Sequence, residues 1–241
     1  MFVRRLPLLL ASLAFLASPI FADDKSNPAA TPAEKDPGRH KGFLQDIKNM
    51  QGKIDLVFLG DSITDGWRYG PNLPVWKEHF GKYNPLNLGI SGDQTQHVLW
   101  RIQHDELAGY FPKGFVIMIG TNNVPPGHSE EQIAGGVKAI IEEIERQHPK
   151  AKILLLAIFP RSGKAGDAIR QKINRTNELL AKFDDGKQVK YLDIGPKFLT
   201  EDGTLTKEIM PDALHPNTKG YKIWAESIDK ALAELMKNPG T

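Results

Sequence analysis

Residues 54–66 read IDLVFLGDSITDG, an apolar run at 54–59 that passes without a spacer into Gly60-Asp61-Ser62 and then into a stretch compatible with a helix. A short apolar run bounded by turn residues suits a strand buried on both faces, and a strand feeding directly into a helix is the opening unit of a parallel sheet. The pattern recurs outward from this point. Strands are predicted at 83–88 (YNPLNL), 115–119 (FVIMI), 153–158 (ILLLAI) and 189–194 (VKYLDI), with helices between them at 73–80, 94–107, 129–148 and 167–184 and a last one at 217–236. The 129–148 segment carries the clearest signal: Ser129 as N-cap, Glu130, Glu131 and Gln132 in the first turn, and Ile133, Val137, Ile140, Ile141 and Ile144 on one stripe. Before the first strand, Phe43, Leu44, Ile47 and Met50 set an entry helix over 39–51. Strand–helix alternation of this kind argues for an α/β domain with a parallel sheet covered on both faces.

The whole chain has 241 residues, 40% apolar and 25% charged, which suits one such domain and leaves little room for two. Residues 1–22, MFVRRLPLLLASLAFLASPIFA, have the basic start, apolar middle and small terminal residue of a signal peptide cut after Ala22. A membrane anchor is disfavoured, because the apolar run is short and broken by Pro7 and Pro19. The expected product is exported, to the periplasm or the extracellular medium. Residues 23–38, DDKSNPAATPAEKDPG, are poor in large apolar side chains and read as a flexible leader, with the domain proper from 39 to 241. The formal charge of +2 comes from Arg4 and Arg5, so the chain without its start is close to neutral and a general nucleic-acid surface is disfavoured. The absence of Cys excludes disulfides, thiolate metal sites and a Cys nucleophile.

Parallel strands of an open sheet bring their C-terminal ends to one edge, where ligands commonly bind. Ser62 stands after the first strand, where helix-start N–H groups point the same way as its hydroxyl. Gly89 follows the second strand in Gly89-Ile90-Ser91-Gly92-Asp93, and Asn122 follows the third in Gly120-Thr121-Asn122-Asn123. Before the last helix stands Asp212-Ala213-Leu214-His215, where the carboxylate can orient the imidazole that takes a serine proton. Taken singly, each fits a bland role: a helix cap, a tight turn, an Asx turn, a solvated histidine. Their order within one chain is far more specific.

Together the four blocks resemble the SGNH hydrolases, also called GDSL-type esterases, over roughly residue 39 to the C-terminus. Within them, VFLGDSITDGW, NLGISGDQTQHVLWRI, IGTNNVPPGHSEEQIAGGVKAI, AIFPR and NRTNELLA are most similar to the catalytic α subunits of platelet-activating-factor acetylhydrolases. The resemblance implies a flavodoxin-like three-layer α/β/α sandwich of about five strands. It implies Ser62 as nucleophile, His215 as general base and then acid, Asp212 as its orienting carboxylate, and an oxyanion hole from the Ser62 and Gly89 N–H groups and the Asn122 side chain. It also places Ile63, Thr121 and Leu214 around the acyl group, where their bulk favours acetyl, and points to a homodimer.

The sequence departs from the pattern in carrying GDSI for GDSL, Asn123 where many relatives have Asp, and an export signal that separates it from cytosolic homologues. The expected activity is a serine esterase acting on short-chain, acetyl-type esters of carbohydrate or lipid. The alternatives are a lysophospholipase or thioesterase with a longer acyl pocket, or a non-catalytic sugar- or lipid-binding protein on the same scaffold. Neither a cofactor nor a metal is called for: Asp61, Asp65, Asp93 and His97 match no metal-binding spacing. Trp67, Tyr69 and Trp76 are candidates for a sugar platform. Trp100-Arg101 and Pro160-Arg161 look like shared scaffold.

Overall fold

A computed structural model describes residues 27–237; the expected signal peptide and residues 23–26 lie outside them. Five strands, β1 (Leu56–Gly60), β2 (Pro85–Gly89), β3 (Gly114–Met118), β4 (Lys152–Leu156) and β5 (Val189–Leu192), form one sheet in the order β2-β1-β3-β4-β5. Every pairing is parallel. The helices are α1 (Pro37–Asn49), α2 (Ser62–Asp65), α3 (Asn72–Phe80), α4 (Thr95–Ile102), α5 (Glu130–Gln147), α6 (Ala168–Leu180) and α7 (Thr218–Lys237).

The strand period of two sorts the core into two layers. Val57, Leu59, Phe115, Ile117, Ile153 and Leu155 pack with Phe43 and Ile47 of α1, Val98 and Ile102 of α4, the stripe of α5, and Ile173 and Leu180 of α6. Leu56, Phe58, Val116, Met118, Leu154 and Leu156 face the other way, onto Trp76 and Phe80 of α3 and Tyr221, Trp224 and Ile228 of α7. Both faces are therefore covered, as the apolar runs require.

Helix α5 starts as its cap predicts: Ser129 Oγ accepts from Gln132 N at 3.1 Å while Ser129 N donates to Gln132 Oε1 at 2.8 Å. Two expected elements run long. The helix predicted over 94–107 ends at Ile102, and Asp105 then takes a left-handed backbone with φ 70°. The apolar run 153–158 outlasts β4, because Ile158 N leaves the ladder and donates to Asn177 Oδ1 at 2.9 Å.

The leader differs from its expectation. From Asn27 onward it lies against the domain: Ala29 is fully buried, its carbonyl accepts from Thr95 Oγ1 at 2.6 Å, and Asn27 Nδ2 donates to Gln132 O at 2.9 Å. Composition signals disorder when too little apolar surface is available to offset ordering. Here small residues seat in a groove, and hydrogen bonds supply what bulk does not.

Candidate active site

The strand order reverses at β1, whose neighbours are β2 on one side and β3 on the other, so the loops after these three strands lie side by side along one edge of the sheet. In the first, Asp61 Oδ1 accepts the Ile63 N–H at 2.9 Å and caps α2, which makes Ser62 the first helical residue. The loop before α7 comes from 153 residues away and sets His215 Nε2 2.9 Å from Ser62 Oγ. Its other nitrogen, Nδ1, lies 2.6 Å from Asp212 Oδ2.

Asp212 is held by its own loop. Its Oδ1 accepts from Leu214 N at 3.0 Å and His215 N at 2.7 Å, with Ala213 between them in the left-handed region at φ 56°. Partial burial acts to raise its pKa, but the bonds from the His215 ring, the His215 N–H and the Leu214 N–H outweigh it and hold the carboxyl below its ordinary value. An ionised Asp212 on Nδ1 favours the tautomer with its proton there, which turns the Nε2 lone pair toward the Ser62 hydroxyl. Asp61 stands in contrast: burial, opposed by the Ile63 N–H and helped by the charge of Asp93, pushes it up to about 7.

The loop after β2 holds a correction. Gly89 was expected to donate its N–H to a substrate oxygen, but that N–H is buried and donates to Asn87 Oδ1 at 2.8 Å. A Cβ on Gly89 would lie 2.3 Å from Asp65 N and 2.7 Å from Thr64 C, so the glycine serves the close approach of β2 to α2. Further along, Asp93 N donates to Ile90 O at 3.1 Å and closes a turn with Gly92 at φ 75°. Among the described residues, the N–H groups of Ser91 and Gly92 have no hydrogen-bond partner, and neither does that of Ser62. From the loop after β3, Asn122 Nδ2 donates to Asp93 O at 3.0 Å, which leaves the second proton of its NH2 unassigned.

An esterase-type Ser–His–Asp relay beside unpaired amides at the edge of a parallel sheet agrees with what the sequence profile of the GDSL-like lipase/acylhydrolase family shows, for it matches residues 58–223. The chain belongs to that family. The bovine (Bos taurus) platelet-activating factor acetylhydrolase IB subunit alpha1 is 36% identical to this acylhydrolase over 198 residues, 82% of each chain. Among solved structures, a GDSL-like lipase of Bacteroides thetaiotaomicron superposes with a TM-score of 0.68 at 22% identity, covering 81% of this chain and 97% of that one. An acetylxylan esterase of Geobacillus stearothermophilus gives a TM-score of 0.59 at 20% identity over 76% and 94%. These two likenesses concern the fold.

Other expected residues find different places in the acylhydrolase. Trp67 and Trp76 are 0% and 8% exposed, packed edge-on or tilted among Phe58, Phe80, Tyr221 and Trp224, so they cannot form a sugar platform. Tyr69 is exposed, with its hydroxyl donating to Asp65 Oδ2 at 3.1 Å. Of the three acyl-pocket residues, Ile63 and Thr121 are each 1% exposed and offer a ligand almost no surface; Leu214, half-buried beside His215, does.

The four residues weighed as a metal cluster have separate duties. Asp61 caps α2, Asp65 pairs with Arg39 and Arg68, Asp93 pairs with Arg101, and His97 Nδ1 accepts from Gln94 N at 3.0 Å. Among the described residues, no group of three or more His, Cys, Asp or Glu side chains could hold an ion, and no helix is long and apolar enough to cross a membrane.

Arg101, left without a role by the sequence, organises the β2 loop. Its Nε and Nη2 reach Asp93 Oδ2 at 3.0 and 2.9 Å, Nη2 also donates to Leu88 O at 3.0 Å, and Nη1 pairs with Glu106. Arg161 Nη1 donates to Thr121 O at 3.2 Å and so braces the β3 loop. The available signal was an arginine set on the apolar stripe of a helix, next to Val98, Leu99 and Ile102.

Proposed function

We propose that this acylhydrolase cleaves short-chain carboxylic esters, acetyl esters foremost, through an acyl–Ser62 intermediate. The observation that carries the reading is the continuous relay Ser62 Oγ–His215 Nε2 at 2.9 Å and His215 Nδ1–Asp212 Oδ2 at 2.6 Å. Ser62 Oγ attacks the ester carbonyl as His215 takes its proton, and the imidazolium is stabilised by Asp212. The carbonyl π electrons move to oxygen, for which the Ser62 N–H, the open amides of the Ser91–Gly92 turn and the Asn122 NH2 are the candidate donors. Collapse expels the alkoxide, which leaves as alcohol with the His215 proton. Water, deprotonated by the same imidazole, then releases the acid and restores Ser62.

Two things support a small acyl group. Relatives are named for acetyl chemistry, an acetylhydrolase subunit in sequence and an acetylxylan esterase in fold. Ile63 beside Ser62 and Thr121 beside Asn122 are also filled into the core, so a longer acyl channel would have to displace packed side chains. If residues 1–22 direct export, the ester is met outside the cytoplasm, as an O-acetylated glycan or acetyl lipid would be.

The test is turnover of p-nitrophenyl acetate, butyrate and octanoate, with Ser62→Ala as control. Acetate preference abolished by the substitution is expected. Turnover rising with chain length would replace the reading by a long-chain acylhydrolase, and activity surviving in Ser62→Ala would overturn the nucleophile.

A further inference from the structure

The strap formed by residues 27–36 touches the loop after β2 directly and reaches the loop after β3 through Thr95, and these two loops carry candidate oxyanion donors. Near its end, Lys35 Nζ donates to Ser91 O and lies 3.3 Å from Asp93 Oδ1. Near its start, the Ala29 carbonyl accepts from Thr95 Oγ1. Thr95 in turn is held by Asn123, whose Oδ1 accepts from Thr95 N and whose Nδ2 donates to Thr95 Oγ1, each at 3.1 Å. Asn123 adjoins Asn122. Between these points Ala33 N donates to Gln96 O at 3.2 Å, so the strap runs along the start of α4.

The seat is built into α5. Glycine is the poorest helix former after proline, yet Gly135 and Gly136 lie side by side inside this helix. A Cβ on Gly136 would fall 2.4 Å from Ala29 O, and one on Gly135 would fall 2.5 Å from Asn27 Nδ2. The helix forgoes side chains where the strap crosses.

Lys35 has the more direct effect. The Ser91 carbonyl and the Gly92 N–H belong to one planar trans peptide and point in opposite directions, so a cation fixed on the oxygen fixes the direction of the N–H. It also polarises the amide and makes the N–H a better donor. From the same ammonium, the contact to Asp93 Oδ1 ties this peptide to the carboxylate that Arg101 holds by its other oxygen.

Resting on the acyl–Ser62 reading above, we infer that the strap belongs to the catalytic apparatus, with Lys35 as a positioning residue that aims the Ser91–Gly92 peptide at the developing oxyanion. The Lys35 side chain is a third exposed, so the ion pair adds little to overall stability while controlling a peptide that matters in the transition state.

The experiment compares full-length Lys35→Met, Lys35→Arg and Ser62→Ala. The methionine keeps the apolar stem and removes the ammonium; the arginine keeps the charge. With p-nitrophenyl acetate, Lys35→Met should lose kcat by about 10- to 100-fold, less than outright removal of a donor. KM should stay within about 2-fold, because an interaction made in the transition state lowers kcat without weakening substrate binding. Inactivation by diethyl p-nitrophenyl phosphate, which also builds charge on oxygen in this hole, should slow in parallel. Lys35→Arg should recover most of the rate, and the melting temperature should barely move.

Unchanged kcat in Lys35→Met, with Ser62→Ala inactive, overturns the inference and leaves the nucleophile standing. A rate loss matched by a collapsed melting temperature, with no recovery in Lys35→Arg, also overturns it in favour of a purely structural strap. Activity in Ser62→Ala removes the reading on which both rest.

Discussion

Gly89→Ala distinguishes a packing glycine from an amide donor, because alanine keeps the N–H and adds only a methyl. That methyl would sit 2.3 Å from Asp65 N, 2.7 Å from Thr64 C and 2.8 Å from Asp65 Cα, all backbone atoms that no rotamer change can move. Restoring ordinary contact needs roughly 1 Å of separation between β2 and α2. Overpacking of this kind costs about 1–3 kcal/mol. For a domain of this size, each kcal/mol lowers Tm by roughly 2–4 °C, so a fall of about 2–12 °C is expected.

Because Ser62 starts α2, the same displacement would stretch the 2.9 Å Ser62–His215 contact toward about 4 Å, beyond hydrogen-bond reach. Misplacement by 1 Å can cost about 10²-fold in rate. Thermal unfolding followed by circular dichroism, together with steady-state turnover of p-nitrophenyl acetate, reads both effects. A variant with wild-type Tm and wild-type kcat would refute the packing argument and return Gly89 to the role of a simple amide.

Two further outcomes follow from the same geometry. Asn122→Ala removes the NH2 beside the β3 loop and should lower kcat by about 10²–10³-fold while the protein stays folded; near-wild-type turnover would remove Asn122 from the oxyanion hole. Asp61 is raised to about 7 by burial, against 3.8 for an unperturbed Asp, so between these values the native state holds a proton that the unfolded chain has released. Stability should therefore fall as pH rises from about 4 to 7 and level off above, by on the order of a few kcal/mol. Asp61→Asn cannot lose that proton, and its Tm relative to wild type should climb across the window. A Tm difference that stays flat with pH would show Asp61 ionising normally.

Much of the candidate site was legible because its residues announce themselves in short windows. The run 54–59 and its four counterparts show strands because both sheet faces are covered, and Ser129 with Gln132 shows a helix start because a capping box is local in sequence. Asp212 and His215 pair within one turn, so their coupling to each other was readable, and their order behind Ser62 in the chain pointed to the relay.

What the sequence determined by itself was thus the alternation of elements, the α/β class and the residue types able to carry ester chemistry. The tertiary structure decided the rest. Gly89 lost its expected part because Asn87 takes its N–H and α2 crowds its Cα. Trp67 and Trp76 lost theirs to an aromatic core, and the 27–36 segment gained order from Thr95, Gly136 and Ser91, each at least 56 residues away in the chain or more. Whether a donor is free, a ring buried or a strap seated depends on which distant groups arrive beside it. Local periodicity carries no information about those arrivals, since they are properties of pairs that only the folded chain brings together.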